Sequence, residues 1–233
     1  MLRLEIILIT AGLALLFAAV LAIAIMRWRK KQQVLQLEAN MRLLKRCLKI
    51  DDLLSVLADR YIPLSTKMML VDYVIASMEK VKSLPNAFPL TEKHEEYVGL
   101  RSELMRAEQA TKNEKVAVQA EFVRVQGALR VLLTLVKAFS ANRMIDKASA
   151  KQQMSMIRYG YQLAHCDLLV KEAQEDLDLE KNARALEKYR TALSEMESVS
   201  FIPESNRVIN TLKNRIQMVE GILFKKKQNV DQG

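Results

Sequence analysis

Glycine, proline, cysteine and histidine are all scarce in this sequence, and each shortage excludes a class of site. The 233 residues include six glycines, four prolines, two cysteines and two histidines. No two glycines lie close together, so the chain has no loop that exposes backbone N–H groups to the phosphates of a nucleotide. The two cysteines have no paired spacing, and in a reducing compartment we expect them to be small buried hydrophobic residues.

The histidines and cysteines do not combine into a metal site. Only His165 and Cys166 are adjacent, and neighbouring positions on a helix point about 100° apart, unlike a chelating pair at i and i+4. We interpret His165 and Asp167 as a helix-surface pair, because no strained G-x-S-x-G turn accompanies them. The sequence therefore predicts no metal, no cofactor and no catalytic residue, with a helical enzyme built on a dispersed site as the alternative.

Two groups of carboxylates are the other candidates for a reactive site. The first group follows Thr91 as the opening turn of a helix, where the helix dipole favours acidic residues. It consists of Glu92, Glu95 and Glu96. The second group ends a later helix and is interpreted as a solvated face: Glu172, Glu175, Asp176, Asp178 and Glu180. Both groups are expected to be structural.

The formal charge of +9 is typical of nucleic-acid binders, but its location along the chain argues against that function. Residues 27–50 hold eight Lys or Arg and one Glu, a net of +7, whereas residues 51–224 hold 24 charges of each sign. The tail, 225–233, adds three lysines against one aspartate. A nucleic-acid-binding body needs its own excess of cations to neutralise phosphates. We therefore predict no nucleic-acid partner and assign the basic segment to membrane lipid.

One long apolar run stands at the start of the chain. Between Leu4 and Met26 the single charged residue is Glu5. About twenty apolar or small residues remain, enough at ~1.5 Å per residue to cross a ~30 Å hydrocarbon core. We predict that residues 4–26 form a transmembrane helix. A signal peptide cleaved after Ala24 is the alternative, but the apolar run is long for a signal core, and cations follow the cleavage site at once.

The residues around the span indicate its orientation. Four cations follow it, against Arg3 and the terminal amine before it: Arg27, Arg29, Lys30 and Lys31. The positive-inside rule then places residues 27–233 in the cytoplasm and residues 1–3 outside. Trp28, the one tryptophan, stands at the expected membrane interface. This single-pass layout, without organelle-type targeting features, suggests the inner membrane of a bacterium.

Helix-forming residues dominate the rest of the chain, and no period-2 alternation indicates a strand. We predict an all-α body over residues 51–224, preceded by a basic juxtamembrane helix over 27–50. Pro85 and Pro89 mark the segment 83–91 as a linker and a candidate sub-domain break. The expected helices beyond the anchor cover 30–59, 64–82, 91–112, 114–139, 147–179, 181–198 and 204–227.

Two stripes on the N-terminal helix are candidate contact surfaces. The first has a 3-4-3-4 spacing: Val34, Leu37, Met41, Leu44 and Leu48. This spacing is typical of a short coiled-coil seam that would form a homo-oligomer, but we favour packing on the protein's own helical domain because the seam is so short. The second stripe repeats small residues within the span: Thr10, Ala14, Ala18 and Ala22. Such spacing lets transmembrane helices approach closely, although alanine is common in these helices anyway.

The segment ARALEKYRTALSEM, residues 183–196, resembles the second helix of a tetratricopeptide unit. Ala185, Tyr189 and Ala192 stand at the small–aromatic–small offsets that this family uses to pack helix pairs. No second copy is found at the family's repeat length of about 34 residues. The resemblance implies an array of helical hairpins, and a multi-helix bundle is the alternative.

These observations predict a single-pass membrane protein whose helical cytoplasmic body works by presenting surfaces. We expect a non-enzymatic scaffold or adaptor that binds protein partners at the membrane. The alternative is an accessory or assembly subunit of a larger membrane complex that acts through its transmembrane helix. A secreted protein would result if the span were cleaved.

Overall fold

The computed structural model of the protein describes residues 2–81, 93–106 and 114–231. At residues 2–20, 22, 81 and 225–231 it describes the helical backbone only. The predicted linker, 83–91, lies outside the described residues.

Seven α-helices and no strand make up the described part of the chain, so the prediction of an all-α fold is confirmed. The helices are α1 (Leu2–Val56), α2 (Leu64–Val81), α3 (His94–Arg106), α4 (Gln119–Ala141), α5 (Lys147–Asp178), α6 (Asn182–Glu197) and α7 (Pro203–Asp231).

The first helix, α1, runs without interruption through 55 residues, about 80 Å at ~1.5 Å per residue. Neither glycine nor proline occurs between Gly12 and Pro63, so no residue of the helix-breaking type interrupts the backbone ladder there. The helix ends at Val56, before the predicted end at residue 59. Beyond it, Tyr61 and Ile62 are buried in a turn that precedes Pro63. Since a proline disfavours helical backbone in the residue before it, this turn is where α1 stops.

The predicted membrane span falls largely on residues whose side chains are not described, namely 4–20 and 22. Among the residues with described side chains, no helix is both long and apolar enough to cross a membrane.

Contacts along the backbone divide the chain into two compact units. The first consists of Met1–Leu48 and Ala76–His94, and the second of Lys49–Ile75 and Glu95–Gly233. Within the first unit, α1 meets the last turns of α2 at Cys47, which is fully buried and hydrogen-bonded to Ser77.

The second unit is organised around α5, the central helix. Its N-cap is Asp146, whose Oδ1 accepts a hydrogen bond from the backbone N–H of Ser149 at 2.9 Å. The first half of α5 packs on α4, where Gln126 donates a hydrogen bond to the Tyr161 hydroxyl. Its second half packs on α6, where Lys188 Nζ lies 2.8 Å from Asp176 Oδ2. The last helix, α7, packs on α6, so consecutive helices are neighbours through this part of the chain.

Helix α4 begins at Gln119, later than the predicted start at residue 114. The residues before it have other hydrogen-bond partners. The Val116 N–H donates to the Tyr61 hydroxyl, and the Ala117 N–H donates to Glu121 Oε2. These bonds hold the segment outside the helix, and Val118, predicted on the buried face of α4, is instead an exposed N-cap with extended backbone.

Candidate functional site

The part of α1 beyond residue 26 has three distinct faces, and the first of them is buried. It carries Leu44, Cys47, Ile50 and Leu53, none more than 5% exposed. At about 100° per residue, each step of three residues turns back by about 60°, so this buried strip winds around the helix and Leu53 lies about 180° from Leu44. This face belongs to the hydrophobic core and is unavailable to a partner.

The second face is the predicted apolar stripe, and most of it is exposed. Val34, Leu37 and Leu48 are 55%, 50% and 46% exposed, Met41 is half-buried, and Leu44 is buried. Packing on the protein's own helices therefore accounts for Leu44 and part of Met41. The remaining stripe positions offer apolar surface to solvent, and we call Val34, Leu37, Met41 and Leu48 the apolar stripe from here on.

The third face is basic and adjoins the stripe. Six cations lie on it at helical spacing, all with exposed side chains: Arg27, Lys31, Arg42, Lys45, Arg46 and Lys49. One acidic residue shares this face, Glu38, whose Oε2 lies 3.7 Å from Arg42. The other predicted interface residues, Trp28, Arg29 and Lys30, are also exposed. The small-residue stripe of the span, Thr10, Ala14, Ala18 and Ala22, lies outside the described side chains.

A polar cluster ties the α1–α2 turn to the middle of α5. Arg60 donates two hydrogen bonds to Asp167, from Nε to Oδ2 at 2.7 Å and from Nη2 to Oδ1 at 2.9 Å. The Tyr61 hydroxyl donates to Asp167 Oδ2 at 2.9 Å and accepts from Val116 N at 2.8 Å. Asp167 is 8% exposed, so its carboxylate depends on these partners for the hydration it has lost. The interpretation of Asp167 as a helix-surface residue is therefore wrong.

Gly160 allows this cluster to form. A Cβ at this position would lie 2.1 Å from the Tyr61 carbonyl oxygen and 3.0 Å from the carbonyl carbon. Only a residue without a side chain lets the Tyr61 backbone approach α5 so closely. Gly160 and Asp167 stand seven residues apart on α5, two helical turns, and both contact the same turn.

His165 also has partners that the sequence did not indicate. Its Nδ1 lies 2.7 Å from Glu195 Oε2 on α6, and its ring stacks on Phe122 of α4 with 4.8 Å between centroids. It therefore marks the place on α5 where the start of α4 and the end of α6 meet. Beside it, burial raises the pKa of the Cys166 thiol to about 12, so this sulfur stays protonated and is a poor nucleophile. The arrangement is suited to holding helices together.

The residues that carry the tetratricopeptide resemblance are all buried. Ala185 and Ala192 are fully buried, and Tyr189 is 1% exposed. On α7, the Arg215 guanidinium lies 5.8 Å from the centre of the Tyr189 ring, within cation–π range. They lie in the part of α6 that packs between α5 and α7.

A cleft of about 420 Å³ opens between the end of α1 and the start of α4. It is lined in part by Tyr61, Val116, Glu121 and Arg124. Three of these groups already have partners, because the Tyr61 hydroxyl bonds Asp167 and Val116, and Glu121 accepts from Ala117. Among the residues that the structure describes, no group of three or more His, Cys, Asp or Glu side chains could hold a metal ion.

Comparison of the chain with protein-family models, with curated proteins and with solved structures finds no match in any of the three. The candidate site is therefore defined by its own geometry. On α1, exposed large apolar side chains at regular spacing lie beside a dense charge of one sign.

Proposed function

We propose that the protein is a membrane-anchored, non-enzymatic scaffold whose helices bind partner proteins at the cytoplasmic face of the membrane. One observation carries the proposal: α1 continues without a break from the predicted span into the folded body, and the apolar stripe on it is left exposed. A helix joined to an anchor without a flexible linker holds its faces at a fixed place near the bilayer. Confinement to a surface raises the effective concentration of its partners.

The polar clusters of the second unit support a structural role for the body. The side chains in this unit that could most readily take part in chemistry are already paired. Asp167 pairs with Arg60, His165 with Glu195, and Asp176 with Lys188. Arg60 and Asp167 lie 107 residues apart, whereas the contacts of His165 and Asp176 join the consecutive helices α5 and α6. The body would therefore act by presenting surfaces, with 27–31 at the lipid interface and 4–26 in the bilayer.

Anchoring is tested with the full-length chain carrying a C-terminal tag in bacterial cells. The anchor predicts that the tag stays with membranes through alkaline carbonate extraction and is digested by protease only in inside-out vesicles. Replacing Leu15 and Leu16 with lysine should release the protein, whereas leucine-to-isoleucine changes there should not. Recovery of wild-type protein in the soluble fraction, or cleavage after Ala24, would refute the anchor.

The accessory-subunit alternative is separated by exchanging the span for leucines. A scaffold that works through its cytoplasmic faces should keep its partners when residues 4–26 become a polyleucine span, because the anchor then serves only for attachment. A subunit recognised through Thr10, Ala14, Ala18 and Ala22 should lose them, because close approach between helices needs small residues. Affinity capture from detergent-solubilised membranes, beside the unaltered chain, measures this difference.

A further inference from the structure

We infer that the apolar stripe of α1 and the basic face beside it form a docking site for an acidic amphipathic helix of a partner protein. The inference deepens the proposed scaffold function by stating the chemistry of the partner. It depends on the predicted anchor for one step only, the distance of the cations from the membrane.

The cations of the basic face fall into two groups according to their distance from the membrane. Arg27 and Lys31 lie within the first turns beyond Met26, where anionic headgroups can attract them. Arg42 and Lys49 stand 16 and 23 residues beyond Met26 on the same unbroken helix. At ~1.5 Å per residue they are about 24 and 34 Å from the end of the span, and still roughly 18 and 26 Å away at a tilt of about 40°. The screening length in cells is about 8 Å, so the bilayer does not attract these upper cations.

A second copy of the chain is a poor occupant of the stripe. In a parallel pair, the positions flanking the seam on one helix face those on the other. Lys31, Glu38 and Lys45 would then face Met26, Gln33 and Asn40 of the second copy. No pair of opposite charges forms across the seam, so charge contributes nothing to this pairing. The same flank is complementary to a helix that carries Glu or Asp beside its apolar residues.

The stripe also has the spacing that such a partner needs. Val34, Leu37, Met41 and Leu48 occupy seam positions over two heptads; Met41 is partly buried, and the other three are about half exposed. A partner helix laid along them would bury its own apolar seam and place its acidic edge on Lys31, Lys45 and their neighbours. Charge on one edge gives the direction of docking and excludes basic helices.

The test uses the full-length protein in nanodiscs of zwitterionic phosphatidylcholine and two synthetic helical peptides. Both peptides have leucine at seam positions, one with Glu and the other with Lys at the flanking positions. Fluorescence anisotropy should show the Glu peptide binding severalfold tighter, since each exposed ion pair, at Lys31 and at Lys45, contributes roughly twofold and each like-charge pair of the Lys peptide costs about as much. The preference should shrink as salt rises. Equal binding of both peptides, or of neither, would overturn the inference.

Reversing the charges of the basic face is the more specific test of the docking site. Arg42→Glu, Lys45→Glu and Arg46→Glu together should invert the preference towards the Lys peptide. The matched control reverses three exposed cations elsewhere, Lys137, Lys151 and Arg158, and changes the net charge equally. An equal effect of the control would mean that net charge alone decides, which refutes the site. Leu37→Asn should weaken binding of the Glu peptide both to the unaltered protein and to the control variant. Circular dichroism checks that the substitution leaves the helix content unchanged.

Two further outcomes identify a wrong occupant. A dimer of the unaltered chain that Leu37→Asn dissolves would assign the stripe to a second copy. A loss of affinity for anionic-lipid nanodiscs on reversal of residues 42, 45 and 46 would assign these cations to lipid. The membrane proposal and the docking proposal can fail independently. If the chain does not insert into nanodiscs, its binding to the same two peptides can be measured in buffer. Binding there with the stated preference supports the docking site even though the membrane proposal fails.

Discussion

Substitution of Gly160 by alanine tests the close contact between α5 and the α1–α2 turn. The added Cβ would meet the Tyr61 carbonyl oxygen at 2.1 Å, and the next atoms, at 3.0 and 3.4 Å, are also Tyr61 backbone. A flexible side chain could rotate away, but this backbone is held on both sides. The Tyr61 hydroxyl bonds Asp167 and Val116, and the residue itself is 2% exposed. Relief of the clash must therefore move the turn or α5.

The expected loss of stability is the difference between two opposing effects. Overpacking a well-packed site costs about 1–3 kcal/mol, and a backbone neighbour places this substitution at the upper end. Alanine in place of glycine within a helix stabilises the folded state by about 0.5–1 kcal/mol. The net loss is then about 2 kcal/mol, which lowers the Tm of a body of this size by about 4–8 °C.

Circular dichroism of the full-length chain in mild detergent, during heating and during urea titration, measures the effect. Gly127→Ala is the matched control, because nothing lies within 4 Å of a Cβ on that exposed helical glycine. It should raise the Tm by a few degrees, opposite in sign to Gly160→Ala. A Tyr61→Phe change should cost less in the Gly160→Ala background, since the turn is already displaced. Stabilisation by Gly160→Ala would refute the contact and the described position of the turn.

Three further substitutions test other parts of the second unit by the same measurement. Asp167→Asn removes the charge that pairs with the half-buried Arg60 guanidinium and should cost about 2–3 kcal/mol. Ala192→Leu adds atoms at a fully buried position and should cost about 1–3 kcal/mol. Asp146→Ala removes the N-cap of α5 and should lower the Tm at neutral pH. Hydrogen bonds from the Ser149 side chain and backbone N–H hold the pKa of Asp146 below its usual value. The cap therefore stabilises fully above the unfolded pKa of about 3.9 and is lost as pH falls through the lower folded pKa.

Controls for these substitutions come from exposed positions of the same chemistry. Asp72→Asn breaks the pair with Arg101, in which both side chains are 48% exposed, and should change the Tm far less than Asp167→Asn. Ala183→Leu lies on the exposed side of α6 and should be nearly neutral. For Asp146→Ala, the Tm difference from the unaltered protein should shrink as pH falls below about 3.9 and disappear once the pH is below the lower folded pKa; a difference that persists at the acid limit would mean that the cap acts without its charge.

Apolar periodicity and the positions of proline were sufficient to predict the helices. All seven lie close to their predicted places, because glycine and proline are scarce and no proline occurs in the interior of a described helix. The buried positions Ala185, Tyr189 and Ala192 also coincide with a local pattern. The membrane span, its orientation and the partner contacts stay predictions.

Contacts between distant segments were not predictable in the same way. Arg60 and Asp167 lie 107 residues apart, and nothing near either indicates its partner. Gly160 was a missed signal, since an isolated glycine inside a strong helical pattern often marks a close backbone approach. The late start of α4 has the same origin, because the Val116 N–H is taken by Tyr61, a residue of another segment. Local patterns decide which residues can be helical, whereas long-range hydrogen bonds decide where a helix begins.

The buried residues, the apolar stripe and the basic face are all carried by one continuous helix, α1. Leu44 belongs to the spacing of the apolar stripe and is also buried, so the stripe borders the buried residues at this position. No glycine or proline occurs between Gly12 and Pro63, so this part of α1 holds no residue of the helix-breaking type. The basic face is set by the same helical geometry. A partner that recognises the stripe and the cations together would therefore contact two neighbouring faces whose order along α1 follows from helical geometry.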